Sequence, residues 1–199
     1  MLSLEDYKAL FMVIGLVGVL LFASPALGLV LRLPAREPFS ELYVLGPGRL
    51  AEGYPFNVKD GEDYLVYVGV RNHMGSSAYY VVGVKFRNQS EPLPNSTASI
   101  PSPLPTLYEY RIFIRDGDVW EAPLRFSLVG ISFSKNACLV ECLKINGVLF
   151  AVNKIALWDY ENRGYYYQLF IELWIYDANL GAFKFHNIFV TLWLNATVV

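Results

Sequence analysis

The chain has 199 residues, with 16 Lys+Arg against 18 Asp+Glu, a net charge of −2, and 54% apolar but only 17% charged residues. Soluble domains average about 25% charged residues, so this balance excludes a disordered chain and points to a membrane segment. With no basic face to displace counterions it excludes nucleic acid as a partner, and two Cys with two His exclude a disulfide-rich scaffold and argue against a zinc site.

The first element is the run Ala9–Leu31, ALFMVIGLVGVLLFASPALGLVL, in which 23 residues pass without a charge. As a helix it is about 34 Å long at roughly 1.5 Å per residue, enough to cross a hydrocarbon core of about 30 Å. Pro25, near its far end, kinks the helix or marks its exit from the bilayer. A soluble helix would show a polar face, and this run has none. A cleavable signal peptide is the rival reading, with Ala26 and Gly28 as the small residues before a cleavage site. Glu5 and Asp6 beside a single Lys8 are unlike its basic start, so the run is read as a retained anchor. The expected domains are therefore 1–37, a transmembrane anchor, and 38–199, an extracytoplasmic β-domain.

Orientation is set by two opposed signals. Arg32 and Arg36 after the run outnumber Lys8 before it, which places the C-terminal part inside. Three sequons oppose this, at Asn88, Asn95 and Asn195, and all follow the helix. Together with the Tyr-rich, weakly charged body they favour a single-pass protein of the cell membrane with its C-terminal domain extracellular. The three sequon asparagines are then candidate glycosylation sites.

From Pro38 onward the pattern alternates. Strands are predicted over 41–45, 64–70, 79–86 and 108–114, followed by a return through Val119 and Trp120 and a further strand over 125–133. Residues 142–145 and 148–152 flank Asn146-Gly147, the strongest short hairpin signal in the chain. The last two strands are predicted over 165–176 and 183–194. In the first of these, Tyr165, Tyr167, Leu169, Ile171, Leu173 and Ile175 share one face, while Tyr166, Gln168, Phe170, Glu172, Trp174 and Tyr176 share the other, a mixed aromatic face expected to be half covered. The stretch 88–106 holds five Pro, at 92, 94, 101, 103 and 105, so it cannot donate a regular ladder. It is either an ordered excursion over the surface or a mobile loop. About nine short strands with frequent turns predict an all-β fold, an immunoglobulin-like antiparallel sandwich behind one N-terminal helix.

Residues able to do chemistry are sparse. His73 sits at a turn and His186 in the last strand, neither beside a nucleophile motif. Asp116 and Asp118 flank Gly117 without the further oxygens that calcium needs, so they read as a hairpin turn. Asp159, Glu161 and Asn162 form an acidic loop beside Trp158 and Arg163, where a glycosidase would place paired carboxylates. A solvated loop at a sheet end has the same composition. No catalytic, cofactor-binding or metal-ligating residue is assigned. Cys138 and Cys142 would lie about 13 Å apart in a strand, too far to bond, and about 6 Å apart in a helical turn, where a strained disulfide is geometrically allowed; two reduced thiols are the favoured reading.

Three stretches carry a resemblance: PFSELYVLGP from Pro38, AEGYPFNV from Ala51, and Gly61-Glu62 through Val70-Arg71-Asn72-His73. They resemble the archaeal membrane-protein family labelled domain of unknown function sixteen-sixteen, over roughly residues 5 to 199. Longer members carry several helices before this one, which implies partner membrane helices. The family has no established activity and supplies no catalytic residues. The same pattern is similar to adhesion-type, immunoglobulin-like modules of archaeal surface proteins, which implies an external sandwich.

The functional expectation is a membrane-anchored, non-enzymatic cell-envelope protein that binds or scaffolds. Its partners would be the lipid bilayer, through Ala9–Leu31, and envelope proteins or glycans. A type IV pilin-like filament subunit is the first alternative, because Lys8-Ala9-Leu10 before the apolar run resembles a prepilin cleavage site. An enzyme acting on envelope glycans is the second.

Overall fold

The computed structural model describes residues 4–30 and 37–197, with side chains for all of these except 4–6, 9 and 23–30. The chain divides into two units, Met1–Glu37 and Pro38–Val199.

The first unit contains helix α1, Leu4–Val30. Successive residues turn about 100° around a helix, and Leu10, Phe11, Met12, Val13 and Ile14 are all exposed, so the apolar surface runs around every side. Within the apolar run only residues 10–22 have described side chains, and among the described residues no helix is long and apolar enough to cross a membrane. Of the positions singled out from the sequence, Leu31, Arg32 and Arg36 lie outside the described residues, as do the side chains of Glu5, Asp6, Ala9, Pro25, Ala26 and Gly28.

The second unit is built of strands β1 (Phe39–Leu45), β2 (Asn57–Val58), β3 (Tyr64–His73), β4 (Ala78–Asn88), β5 (Tyr108–Ile114), β6 (Val119–Ser134), β7 (Ala137–Ile145), β8 (Val148–Leu157), β9 (Tyr166–Asp177) and β10 (Ala182–Ala196). They form two five-stranded sheets, ordered β1-β3-β6-β7-β8 and β2-β10-β9-β4-β5. The inner faces supply one core, in which Val66, Val68, Leu124, Phe126 and Leu128 of the first sheet meet Tyr80, Val82, Val84, Leu169 and Ile171 of the second. Alternation along each strand produces this: every second side chain of β4 and β9 points inward.

Several expectations need correction. The two stretches predicted over 119–120 and 125–133 are one strand, β6, because Pro123 falls where β6 has β3 alone for a neighbour and its missing N–H interrupts no ladder. The short β2 was not foreseen, and it pairs with β10 in parallel, so the sheets are not wholly antiparallel. Residues 137–141 belong to β7, so Cys138 and Cys142 keep the strand spacing that forbids a bond.

The Asn146-Gly147 turn has φ of 48° and 85°, the left-handed pair that a two-residue hairpin requires. A less local feature bends β6 and β7. Gly130 has φ of 75°, a left-handed conformation that side chains rarely adopt, and a Cβ there would also crowd Glu141, so the position favours glycine. Asp60 Oδ1 accepts from Gly130 N at 2.8 Å and Ile131 N at 3.3 Å, holding the bend. Across it the inward set of β7 changes from Cys138 and Val140 to Leu143 and Ile145. Cys142 therefore faces away from the core that holds Cys138, and both thiols are free. Burial raises the Cys138 thiol pKa, which leaves it unreactive.

Leu169 and Ile171 lie at the centre of β9 and are buried in the core. Leu169→Ala and Ile171→Ala are each expected to lower stability by about 2–5 kcal/mol, the span for a truncated core aliphatic. Urea unfolding of the full chain in micelles measures this. Tolerance of Asp at both positions would contradict an inner-face placement.

Candidate functional site

The outer face of the second sheet carries the site. Cross-strand register puts Arg87, Gln168 and Trp193 in one row over β4, β9 and β10, with Tyr166 opposite Asn195 in the next outward row. The Pro-rich stretch is an ordered strap over part of this face. Ser102 N donates to Glu172 Oε1 at 2.8 Å, Lys85 Nζ donates to Ser102 O at 2.8 Å, and Lys85 pairs with Glu172 at 2.9 Å. Glu172 is completely buried and Lys85 is 3% exposed. Residues that read as a half-wet face are thus covered, because proline-rich backbone that cannot join a ladder lies across the sheet instead.

Beyond the strap the face opens into a cleft of about 320 Å³ lined by Phe56, Gln89, Asp159, Asn162, Tyr166 and Trp193. Tyr166 meets Trp193 edge-on, with centroids 6.2 Å apart and planes at 89°. Phe56 also lies near Tyr166, with centroids 6.1 Å apart. Phe56 and Trp193 remain 47% and 45% exposed, so their rings are only partly covered by the protein.

The polar wall is a tight turn between β8 and β9. Asp159 Oδ1 accepts from Glu161 N at 2.9 Å and Asn162 N at 3.0 Å, and its Oδ2 accepts from Asn162 Nδ2 at 2.9 Å. These bonds hold the Asp159 carboxyl below the usual range, Asn162 contributing most. Tyr166 Oη donates to Asn162 O at 2.6 Å, tying the ring to the turn. Gln89 Nε2 donates to Leu157 O at 3.0 Å, while its Oε1 is buried without a partner.

The three sequon asparagines sit in different settings. Asn88 Nδ2 donates to Ile155 O at 2.9 Å, and its Oδ1 accepts from Ser90 N, Ser90 Oγ and Glu91 N. Asn195 Nδ2 donates to Asn57 Oδ1 at 3.0 Å and its Oδ1 accepts from Tyr165 N at 3.0 Å, both within the sheet. Asn95 is exposed in the strap, where its Oδ1 caps a turn at Ala98 N. The sequence reading placed Asn88 at the start of the Pro-rich stretch 88–106, whereas Asn88 ends β4 with its amide engaged.

The histidines lie apart. His73 stacks on Phe39, with centroids 4.6 Å apart, and stands 3.7 Å from Glu41. His186 Nε2 lies 3.0 Å from Ser40 Oγ, which is 2.7 Å from Tyr80 Oη, and Tyr80 Oη donates to Asn72 Oδ1 at 3.0 Å. This chain of polar groups joins the two sheets. Burial lowers the His186 pKa, assisted by Lys184, which favours the neutral ring. Asp116 Oδ1 accepts from Gly75 N at 2.8 Å, as a turn brace. Among the described residues no group of three or more His, Cys, Asp or Glu could hold a metal ion.

Of the acidic loop read from the sequence, Asp159 and Asn162 line the cleft. Trp158 instead packs edge-on against Tyr165, 5.0 Å away. Phe56, Gln89 and Trp193 escaped the sequence reading. The alternation that put Tyr166 on an outward aromatic face was the only signal toward them.

A family model described as Domain of unknown function (DUF1616) matches residues 33–131. No curated protein matches the chain. Solved structures of a beta-glucosidase from Listeria innocua resemble it over 80% of this chain and 16% of theirs. The complex with glucose gives 12% identity and a TM-score of 0.42. The complex with isofagomine gives the same two values. The chain thus spans about a sixth of those proteins, and likeness at this level bears on neither its fold nor its function.

Proposed function

We propose that this chain, whose residues 33–131 belong to that family of unknown function, is a membrane-anchored, non-enzymatic protein of the cell envelope. It holds an immunoglobulin-like sandwich outside the membrane and binds envelope proteins or glycans through the outer-face cleft. The anchor is Ala9–Leu31, whose 23 uncharged residues are long enough to span a bilayer and to meet partner membrane helices.

The observation that carries the binding role is the cleft itself. Three partly exposed rings surround a polar wall, as in a recognition site where aromatic area and a few fixed polar groups act together. Hydrolysis of a glycosidic bond needs two carboxyl groups flanking the bond. Asp159 is the one carboxylate among the lining residues, and its oxygens already hold the turn. The cleft is thereby better suited to holding a ligand than to cleaving one. Asn95, exposed in the strap, is the sequon that an external domain would offer to a glycan transferase.

The test combines carbonate extraction with surface labelling. Leu180 is 67% exposed in the β9–β10 turn, so Leu180→Cys in a Cys142→Ser background reports sidedness. Full-length protein should remain in the membrane pellet and react with an impermeant maleimide in intact cells. Release by carbonate, or labelling only after lysis, would overturn the reading.

A further inference from the structure

We infer that the cleft of Phe56, Tyr166 and Trp193 is a binding site for a neutral pyranose, within a longer saccharide. The inference deepens the proposed binding role and rests on it.

A pyranose has an apolar C–H face and a rim of hydroxyls that both donate and accept. Such a ligand needs ring surface on one side and mixed amide and carboxylate groups on the other. Trp193 and Phe56 offer ring surface that the protein leaves about half open, and Tyr166 lies about 6 Å from each. The opposite wall offers one carboxylate, Asp159, and two amides, Asn162 and Gln89.

Charge narrows the class. Among the described residues that line the cleft there is no Lys or Arg to compensate the carboxylate of a uronic acid, a sulfate or a phosphate, and Asp159 would repel each of them. An organic cation would also suit rings beside a carboxylate. Two features favour the sugar instead. The Asp159 oxygens already accept three hydrogen bonds, and the volume of about 320 Å³ is far more than a trimethylammonium group fills. The wall is also prearranged: the Asp159 turn is tied to Tyr166 through Asn162 O, so binding orders few side chains.

The test uses the purified full chain in a polyoxyethylene detergent, which carries no sugar. Maltohexaose, cellohexaose and mannohexaose are titrated with tryptophan fluorescence and saturation-transfer NMR as readouts, with hexagalacturonate and choline as opposing probes. At least one neutral hexasaccharide should bind saturably. Trp193→Ala should weaken that binding about tenfold or more, and Trp193→Phe, which keeps an aromatic face, should weaken it less. Tyr160→Ala removes a ring that is 75% exposed in the same turn but outside the cleft, and should change nothing. Failure of all three neutral sugars, equal binding by Trp193→Ala, or saturable binding of choline or hexagalacturonate instead would overturn the assignment. These outcomes leave the anchored-envelope reading standing if carbonate resistance and surface labelling hold. Carbonate release would remove that reading without touching a measured affinity for sugar.

Discussion

Replacing Glu172 with Ala is expected to lower stability by about 3–5 kcal/mol, because it strips the partner from a buried ammonium group. Lys85 Nζ would keep Ser102 O as an acceptor but lose the carboxylate 2.9 Å away. Ser102 N and Trp174 Nε1 would lose their acceptor as well. The expected loss reflects an uncompensated charge, not the intrinsic strength of the pair. The double variant Lys85→Met with Glu172→Leu should therefore lose much less than Glu172→Ala, since apolar residues of similar volume can replace a buried ion pair at little cost. Urea unfolding of the full chain followed by tryptophan fluorescence gives both values. The single variant should also release the strap, making residues 89–106 sensitive to protease under native conditions. A loss below about 1 kcal/mol, with the strap still protected, would show that the pair is open to water in solution.

The second large effect concerns insertion. Changing Leu20 and Leu21 together to Arg is expected to oppose membrane insertion by roughly 5–7 kcal/mol on the translocon scale, because both lie at the middle of the uncharged run. Both side chains are exposed on α1, so neither change disturbs packing within that unit. The variant should move from the carbonate-resistant pellet to the supernatant. Fractionation like the unaltered protein would mean that the run is not the anchor.

What was legible in the sequence was local. Asn146-Gly147 declared its hairpin because a two-residue turn needs positive φ at both positions, and those residue types accept it. The alternation in β9 identified Leu169 and Ile171 as inward because the pleat has a period of two. The fate of the other face was not legible. Lys85, Arg87, Gln168 and Glu172 have the composition of a solvated surface, yet all are buried, and Lys85 and Glu172 are covered by Ser102, which stands 70 positions from Glu172. The bend at Gly130 was hidden for a related reason. An isolated glycine in a strand hints at irregularity, but the change of inward residues depends on Glu141 and Asp60, which pairing and loop packing bring to it. The cleft joins Phe56, Gln89, Asp159 and Trp193 from four separate segments, so no window along the chain contains it. Asp159 was noticed because carboxylates stand out. Trp193 was passed over because a tryptophan in a terminal strand looks like core.

Asn88 and Gln89 have a consequence for how copies of this protein behave when crowded together. β8 ends its sheet, and a terminal strand offers its outward carbonyls to any extended segment that arrives. Here the carbonyls of Ile155 and Leu157 already accept from the side-chain amides of Asn88 and Gln89. The end of β4 thus lends two side chains to finish a ladder that has no next strand. A neighbouring molecule seeking to add a strand there must first displace these bonds, so self-assembly by strand addition is discouraged along 155–157.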